Sequence, residues 1–488
     1  MAVTPKNPKI PRTSTDDDDG DRLSSLPEPI IHYIFSFLET IDVTRASAVS
    51  RKWRNLWVSM PYLKFDIHTI WSKPLERWSI HTVIDKFKDF VNWVLMCQNG
   101  SIDIEKFRLR CLNFSDGDHT LQRWLSVLAR RNVRQLDLEL ISDTPIQLPQ
   151  CLVTCQSLVS LKLNFEDKHC VVKLPMYPGF SSLKSLDLKM IEFSDSNLLG
   201  NFISSCPVIE NVNVEFCIFG DSKSLEISST SLKNLIVDSS DMRDPNCDGL
   251  ANCEVKIACP SLVAFKFLTS STWKFSFQDL NSLKDASVDI YFHPEHGTAE
   301  EYHCAMSKIL EGLHNVQLLT LSSGFLRFLN LAASKPEGFS TSFYNLKSLS
   351  VYVLLNWYNQ VEPIINLLNL SPNLEDLKIL IDWMEWIECW EIPDEVTCSS
   401  NHLKSIHLLD FGGSQNELEL VRFLLKKGKV LEKLSITWLE GTEYRSKIIR
   451  EIKRFPTSSS NVAFSFFESR TNIFGVCYSD YEHLLHLS

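Results

Sequence analysis

Long apolar segments are missing from this sequence of 488 residues. No run approaches the roughly 20 apolar residues that a helix needs to span a bilayer. The first residues, MAVTPKNPKIPRTSTDDDDGD, also lack the apolar core of a secretory signal peptide. We therefore expect no membrane partner, and a location in the cytoplasm and/or the nucleus.

Paired cysteines and glycine-rich stretches are missing as well. None of the 14 cysteines forms a C-x-x-C pair of the kind found in zinc sites. The nearest metal-like pattern is Cys247, Cys253 and Cys259, evenly spaced with no histidine among them. We expect reduced thiols, buried or in loops, and no metal. Because glycine is scarce, at 16 residues, we expect no long disordered stretch beyond residues 1–20.

Motifs that carry chemistry are also absent from the sequence. It has no phosphate-binding P-loop, no GxGxxG dinucleotide fingerprint, no GxSxG nucleophile elbow and no HExxH zinc motif. His293 and His296 flank Pro294-Glu295 in a segment of loop composition, where a surface position is favoured over metal binding. The sequence therefore predicts no catalytic residue, no cofactor and no enzyme activity.

The sequence has fewer positively charged residues than negatively charged ones. Lys and Arg total 49 against 60 Asp and Glu, which gives a net charge of −11. Because phosphate backbones are bound by concentrated cationic faces, this balance disfavours nucleic acid as a partner. The hydrophobic content of 44% is typical of a globular protein. The chain is too long to form a single ordinary hydrophobic core. We therefore expect several domains or a repeat array.

Residues 21–62 differ in character from the acidic segment before them. The apolar positions 30, 31, 34, 37 and 38 follow helical spacing. Asp42 is predicted as the N-cap of a second helix, and Trp53, Leu56 and Trp57 have the i, i+3, i+4 spacing of a third. Three short helices bury little surface for the large apolar side chains they carry. The apolar side chains that these helices cannot bury themselves indicate either a partner surface or packing on the next domain.

One pattern, apolar-x-x-apolar-x-apolar, recurs from about residue 100 onward. Its copies start roughly 21 to 33 residues apart, close to the period of leucine-rich repeats. The last two apolar residues of each copy alternate on a short strand and point inward, while their neighbours point outward. The copies are Ile104/Phe107/Leu109, Val133/Leu136/Leu138, Leu158/Leu161/Leu163, Leu183/Leu186/Leu188, Ile209/Val212/Val214, Leu232/Leu235/Val237, Leu262/Phe265/Phe267, Leu283/Ala286/Val288, Val316/Leu319/Leu321, Leu346/Leu349/Val351, Leu374/Leu377/Ile379, Leu403/Ile406/Leu408 and Leu431/Leu434/Ile436.

Stacking such strands row on row gives a quasi-one-dimensional array. The predicted fold class is α/β: three helices within residues 21–62, then a leucine-rich-repeat solenoid with a parallel β-sheet on its concave face. We place the solenoid at residues 63–395, further repeats at 396–466 and a tail at 467–488. Because the period varies, the return segments must differ in length.

The helical segment resembles the F-box. The resemblance rests on Leu26-Pro27, on Ile34-Phe35-Ser36-Phe37-Leu38 and on Ala48-Val49-Ser50-Arg51-Lys52-Trp53-Arg54-Asn55-Leu56-Trp57. Pro29 and His32 depart from it, since the family more often has Glu and an aliphatic residue there. The resemblance implies that a Skp-type adaptor, and through it a cullin scaffold, binds here. The adaptor-binding residues that it implies are Leu26, Pro27, Ile30, Ile31, Ile34, Leu38, Val49, Trp53 and Trp57.

Two further segments resemble plant F-box proteins with leucine-rich repeats and a C-terminal FBD region. One runs from Phe90 to Leu136, and the other runs from Leu403 to Ser460. The resemblance implies the substrate-recognition subunit of an SCF-type E3 ubiquitin ligase. In such a subunit the repeats hold a target protein, unknown here, for ubiquitination.

Outward positions of the repeats change character along the array. Early rows place polar residues such as Asp137 and Lys162 there. In later rows the outward positions include large apolar residues: Leu268, Leu318, Tyr352, Leu380 and Leu409. Neighbouring exposed apolar residues mark contact sites, so we predict that these five bind the target. A register shift of one residue would instead place all of them in the core. A second alternative is that the C-terminal region folds back over part of this face.

Two other functions are compatible with the pattern. A receptor that holds a small molecule in the repeat arc, such as a hormone or an inositol phosphate, would need a basic pocket. Lys106, Arg108 and Arg110 form one basic strand, and later rows add only isolated lysines: Lys162, Lys189 and Lys266. The other alternative is a structural scaffold whose F-box does not engage a cullin complex.

Overall fold

The structure is a computed structural model of the chain. It describes residues 26–47, 53–70, 80–114, 119–142, 144–166, 169–173, 179–193, 197–219, 224–239, 254–269, 274–290, 299–326, 329, 341–354, 361–382 and 401–468. The predicted disordered segment 1–20 and almost all of the tail 467–488 lie outside these ranges. The chain divides into two compact units, residues 1–108 and residues 109–488. In the described ranges, no helix is long and apolar enough to cross a membrane.

The first unit consists of short helices, one strand and one long helix. In chain order its elements are α1 (Glu28–Phe35), α2 (Thr40–Ala46), α3 (Trp53–Leu56), a 3-10 turn (Trp57–Ser59), β1 (Tyr62–Asp66), α4 (Ile67–Ile70) and α5 (Ile80–Cys97). The three helices predicted within residues 21–62 are therefore present. Proline in the first turn of α1 costs no hydrogen bond, because the first N–H groups of a helix have no partner inside it.

The start of α2 differs from the prediction. The helix begins at Thr40, and Asp42 lies inside its first turn, where its carboxylate pairs with Arg45 at 3.0 Å. Thr40 is buried, and its hydroxyl accepts a hydrogen bond of 2.8 Å from the backbone N–H of Lys64. This tertiary contact fixes the helix start, and Asp42 contributes its charge near the helix N-terminus instead of a cap.

Aromatic and aliphatic side chains fill the interior of the first unit. Ile31 and Phe35, one helical turn apart on α1, are both buried. The Phe35 ring meets Trp53 edge-on at 5.5 Å between ring centroids. From the long helix, the buried face includes Phe87 and Val91. Full burial of such side chains contributes roughly 1.5–3 kcal/mol each.

Parallel strands side by side form the main sheet of the second unit. Their order is β2-β3-β5-β7-β9-β11-β13-β15-β16-β17-β18-β19-β20-β21. Their bounds are β2 (Lys106–Phe114), β3 (Gln135–Ser142), β5 (Ser160–Phe165), β7 (Ser185–Lys189), β9 (Asn211–Glu215), β11 (Asn234–Asp238), β13 (Ala264–Thr269), β15 (Asp285–Ile290), β16 (Leu318–Leu321), β17 (Ser348–Leu354), β18 (Asp376–Asp382), β19 (Ser405–Phe411), β20 (Lys433–Trp438) and β21 (Ala463–Phe467).

The register of this sheet confirms the predicted alternation. Leu161 is paired with Leu136 on one side and with Leu186 on the other, and all three are buried. The same row continues through Leu235, Leu319, Leu377 and Leu434, each at most 1% exposed. The predicted inward positions therefore form the core, and the alternative of a one-residue register shift is wrong.

The return segments are of two kinds. Some contain short strands, which in the described ranges form two further parallel sheets of three strands each. These are β4 (Ile146–Gln147), β6 (Cys170–Lys173) and β8 (Ile191–Glu192), and β10 (Ser224–Ser228), β12 (Glu254–Ala258) and β14 (Lys274–Gln278). Others contain helices: α6 (Thr120–Arg130), α7 (Gln150–Val153), α8 (Asn197–Ser204), α9 (Ala299–Leu313), α10 (Val361–Leu370), α11 (Gln415–Lys427) and α12 (Arg445–Ile452). This mixture explains the uneven repeat period.

Candidate functional site

Large apolar side chains cover one face of α1 and the turn that follows it. Ile30, Tyr33, Ile34 and Phe37 have the i, i+3, i+4, i+7 spacing that puts residues on one side of a helix. Tyr33 and Phe37 are 64% and 66% exposed, while Ile30, Ile34 and Leu38 are 46%, 41% and 37% exposed. We call these five residues the α1 face. An exposed apolar cluster of this kind marks a contact site.

The two aromatic residues of the α1 face are held in a defined arrangement. The rings of Tyr33 and Phe37 meet edge to face, with centroids 5.0 Å apart and an angle of 84° between their planes. This geometry is favourable for aromatic pairs, because the positive edge of one ring meets the negative face of the other. The pair therefore offers a partner a preorganised apolar ridge.

The structure separates the residues predicted to bind the adaptor. Three lie on the α1 face: Ile30, Ile34 and Leu38. Two are buried inside the unit: Ile31 and Trp57. Two are half-buried: Leu26 and Trp53. Pro27 is exposed at the start of α1, and Val49 lies outside the described residues.

Tyr33 and Phe37 were not among the predicted adaptor residues, although they are the most exposed members of the α1 face. The signal for them was in the sequence. The same helical spacing that selects Ile30 and Ile34 also selects positions 33 and 37. The residues implied by the F-box resemblance include the aliphatic positions 30 and 34 of this helix but not positions 33 and 37.

His32, a departure from the F-box pattern, bonds to the segment behind α1. Its Nε2 atom lies 3.2 Å from the carbonyl oxygen of Leu56 and 3.8 Å from the carboxylate of Glu28. When Nε2 carries a proton it donates to that carbonyl. The Ser59 hydroxyl donates to Glu28 at 3.2 Å. These contacts hold α1 against the 3-10 turn.

Helix α5 and the two residues that follow it support the other side of this turn. Trp93 stacks on Trp57, with ring centroids 5.2 Å apart. The buried side-chain amide of Gln98 donates to the carbonyl oxygens of Met60 and Trp57, at 3.2 and 3.4 Å. The backbone N–H of Asn99 donates to Val58 at 3.0 Å. The helices that carry the α1 face are therefore fixed by residues well beyond the F-box motif.

In the second unit, cross-strand ion pairs occupy the outward face of the early strands. Arg110 pairs with Glu166 at 2.7 Å and with Glu139 at 3.5 Å. Lys162 pairs with Asp187 at 3.0 Å. On the next pair of strands, Lys189 of β7 pairs with Glu215 of β9 at 4.0 Å. These carboxylates neutralise cations on which a pocket for an anionic small molecule would depend.

The predicted target-binding residues all point away from the core, but they do not form one group. Tyr352 is opposite Leu380, and Leu380 is opposite Leu409, on three adjacent strands. Leu268 lies in the same outward row but on β13, with Asp289 of β15 as its neighbour. Leu318 lies in a different row, opposite Ser348, and is 47% exposed. The structure therefore brings three of the five together.

Asp376, on the same strand as Leu380, accepts several hydrogen bonds. Its carboxylate accepts from the hydroxyls of Ser348 and Ser405 and from Nε2 of His407, at 3.2 Å. Burial alone would raise the pKa of Asp376, but these bonds outweigh it and hold the pKa well below its ordinary value. Both hydroxyls donate to the carboxylate and not to the imidazole. The cluster is therefore not the nucleophile–base pair of a hydrolase.

The sequence contains two weak candidates for a metal site, the evenly spaced cysteines and the pair of histidines. Neither forms a metal site in the described part of the chain. Cys247, Cys253, His293 and His296 lie outside it. Cys259 is buried at the end of β12, and burial raises its pKa to about 11, which keeps the thiol protonated. Among the residues that the structure describes, no group of three His, Cys, Asp or Glu side chains could hold a metal ion.

Comparison with known proteins gives matches over both units. The family model of the F-box domain matches residues 23–65, and that of the At1g61320/AtMIF1 leucine-rich-repeat domain matches residues 95–464. F-box/FBD/LRR-repeat protein At1g13570 from Arabidopsis thaliana is 27% identical over 461 residues, which cover 92% of this chain and 99% of that protein. F-box/FBD/LRR-repeat protein At1g78750 from the same plant is 26% identical over 466 residues, or 90% of this chain and 95% of that protein.

The two family models fall on the two kinds of structure described above. The F-box match covers α1, α2 and α3, and the repeat match covers the parallel sheet with its return segments. The repeat model alone spans well over half of the chain. The chain belongs to the plant F-box/FBD/leucine-rich-repeat family.

Proposed function

We propose that this chain is the substrate-recognition subunit of an SCF-type E3 ubiquitin ligase. In this proposal the α1 face binds a Skp-type adaptor, which links the chain to a cullin scaffold, and the repeats bind the target protein. The observation that carries it is the α1 face itself. Five large apolar side chains are exposed on a short segment that the F-box family model matches.

Physical chemistry supports a protein partner at this face. Energetic hot spots at protein interfaces are enriched in tryptophan, tyrosine and arginine, and Tyr33 is a residue of this type. The rings of Tyr33 and Phe37 already contact each other edge to face, which reduces the side-chain freedom that the pair would lose on burial. Leaving five such side chains in water costs solvation free energy that an adaptor surface would recover.

The proposed role needs no catalytic residue in this chain, because ubiquitin transfer belongs to other subunits of such a ligase. The sequence has no catalytic motif, and Asp376 with its serine and histidine neighbours lacks the geometry of a nucleophile and base. The ion pairs on the early strands favour a protein target over an anionic small molecule. We place the assembled complex in the cytoplasm and/or the nucleus.

Assembly of the full-length chain with purified Skp-type adaptor and cullin tests this proposal. The wild-type chain should elute with both proteins in gel filtration. Tyr33→Asp and Ile34→Asp should each abolish co-elution, because each places a charge in the apolar contact. Met96→Asp is the matched control, since Met96 is 84% exposed but lies on α5. Co-elution of both α1 variants at the wild-type level would refute the proposal.

A further inference from the structure

The last strand of the main sheet has a neighbouring strand on one side only. β21 stands at the end of the strand order, and β20 is its partner. Ala463 donates its backbone N–H to Glu432, which precedes β20, at 2.8 Å. Because successive backbone groups of a strand point to opposite edges, those of Phe464 and Phe466 point to the other edge. Among the described strands, none pairs with that edge.

The apolar core is also open at this strand. Phe464 and Phe466 lie opposite Leu434 and Ile436 of β20, and so they continue the inward rows of the sheet. The two β20 side chains are at most 1% exposed, whereas both phenylalanines are only half-buried. Phe467, which follows them, is 52% exposed. Burial of the inward rows is therefore complete at β20 and incomplete at β21. We call the three phenylalanines and the unpaired edge of β21 the open end.

An open end of this kind is unfavourable in a repeat array. Each repeat buries its apolar face only against its neighbours, so the terminal repeat requires a capping segment. An edge strand without a neighbour also presents backbone groups that pair readily with other chains. A cover for the open end must therefore supply apolar side chains and reach the edge of β21.

The chain continues for 20 residues beyond Glu468, outside the described part, and we call residues 469–488 the terminal segment. Nine of its residues are apolar or aromatic: Ile473, Phe474, Val476, Cys477, Tyr478, Tyr481, Leu484, Leu485 and Leu487. Residues 1–20, at the other end of the chain, have the same length but only four apolar residues: Met1, Ala2, Val3 and Ile10. The apolar residues are therefore concentrated in the terminal segment that follows the open end directly.

We propose that the terminal segment covers the open end and caps the repeat array. The segment begins two residues after β21 ends, so its effective concentration at the strand is in the millimolar range. A second copy or another protein would have to bind from dilute solution. When extended, 20 residues reach about 66 Å, which is ample to return along a strand of about 17 Å. Burial of the apolar side chains on both sides provides the driving force.

Two deletions of equal length test this capping role. Removal of residues 469–488 should raise the amide hydrogen exchange of β21 by at least about tenfold, because the open end loses its cover, while that of β5 stays unchanged. Binding of the dye ANS, which reports exposed apolar surface, should increase. Removal of residues 1–20 is the matched control and should change neither signal. Phe474→Asp in the full-length chain should raise both signals too, and it reports on the cap if the shortened chain fails to fold.

A synthetic peptide of residues 469–488 locates the contact. It should bind the shortened chain at least about tenfold more tightly than the full-length chain, whose own terminal segment occupies the site. Phe467→Asp in the shortened chain should weaken peptide binding by about tenfold or more, because it places a charge in the apolar contact. The matched control is Val208→Asp, since Val208 is 38% exposed but precedes β9. It should change peptide binding by less than about twofold.

Three results would overturn the inference. If the exchange of β21 is equally fast before and after the deletion, the terminal segment does not cover the strand and the open end is available to another protein. If the full-length chain is a dimer that Phe467→Asp separates, the open end belongs to a second copy of the chain. If the peptide does not bind the shortened chain, or binds the full-length chain equally well, the terminal segment has no site at β21.

Discussion

Trp57 and Trp93 stack with ring centroids 5.2 Å apart and an angle of 24° between their planes. Trp57 belongs to the F-box match and is buried, whereas Trp93 lies on α5 and is 48% exposed. The ring of Trp93 therefore shields Trp57 from water. A residue outside the F-box motif thus completes the packing of the F-box helices.

Trp93→Ala should destabilise the first unit by about 1–3 kcal/mol, because it removes an aromatic stack and uncovers Trp57. Urea unfolding of the full-length chain, followed by far-ultraviolet circular dichroism, measures the loss. Met96→Ala on the same helix is the control, since Met96 is 84% exposed. It should change the free energy of unfolding by no more than about 0.5 kcal/mol. Equal effects of the two substitutions would show that the stack contributes nothing.

The contacts of α5 also predict where the smallest folded fragment ends. A fragment of residues 21–62 lacks Trp93 and Gln98, so it should be poorly structured on its own and gain helix when adaptor is added. A fragment of residues 21–108 includes both residues and also Phe107, whose ring packs on Phe65 at 5.6 Å. It should show a cooperative thermal transition.

Circular dichroism of the two fragments during heating decides this prediction. A sharp transition of the shorter fragment without adaptor would mean that the F-box helices need no support from α5. Absence of a transition in the longer fragment would mean that the first unit requires more of the chain.

The hydrogen bonds to Asp376 predict a pH dependence of stability. The folded pKa of this carboxyl is depressed below its unfolded value, which is about 3.9. Its contribution is therefore present above that value and declines as the pH falls towards the folded pKa. Asp376→Asn should be less stable than wild type by about 1–2 kcal/mol at pH 5, and the difference should shrink by about pH 2.5.

Chemical unfolding of the wild type and of Asp376→Asn, at pH 5 and at about pH 2.5, measures this difference in stability. All other carboxyl groups titrate in both proteins, so their contributions cancel in the difference. A difference in stability that stays constant between the two pH values would show that the charge of Asp376 does not contribute.

The sequence alone was sufficient for the described strands of the main sheet from β2 to β20, but it did not predict β21. Alternation within each short strand has a period of two, so Leu161 and Leu163 had to share one face. That local rule also placed Tyr352 and Leu380 outward. It could not show which outward residues are neighbours, because this depends on how the strands align. The short strand β16 interrupts the row between Leu268 and Tyr352, and only the register reveals it.

The support of the F-box by α5 could not be predicted from local patterns. Trp57 and Trp93 are 36 positions apart, and no period in the sequence relates them. The start of α2 was missed for a similar reason. Asp42 is a good cap by propensity, but with Thr40 buried and bonded to Lys64 the helix starts three residues earlier, with Glu39 at the N-cap. The strands in the return segments were also not predicted, since those segments share no template.

Calorimetric titration of a Skp-type adaptor into the full-length chain tests the central claim, that the α1 face is the adaptor-binding surface. The account predicts saturable binding with a negative heat-capacity change, the mark of apolar burial, and a loss of at least about 100-fold in affinity for Tyr33→Asp. Met96→Asp should bind like the wild type. Unchanged binding by Tyr33→Asp and Ile34→Asp, or no binding by the wild-type chain, would contradict the claim.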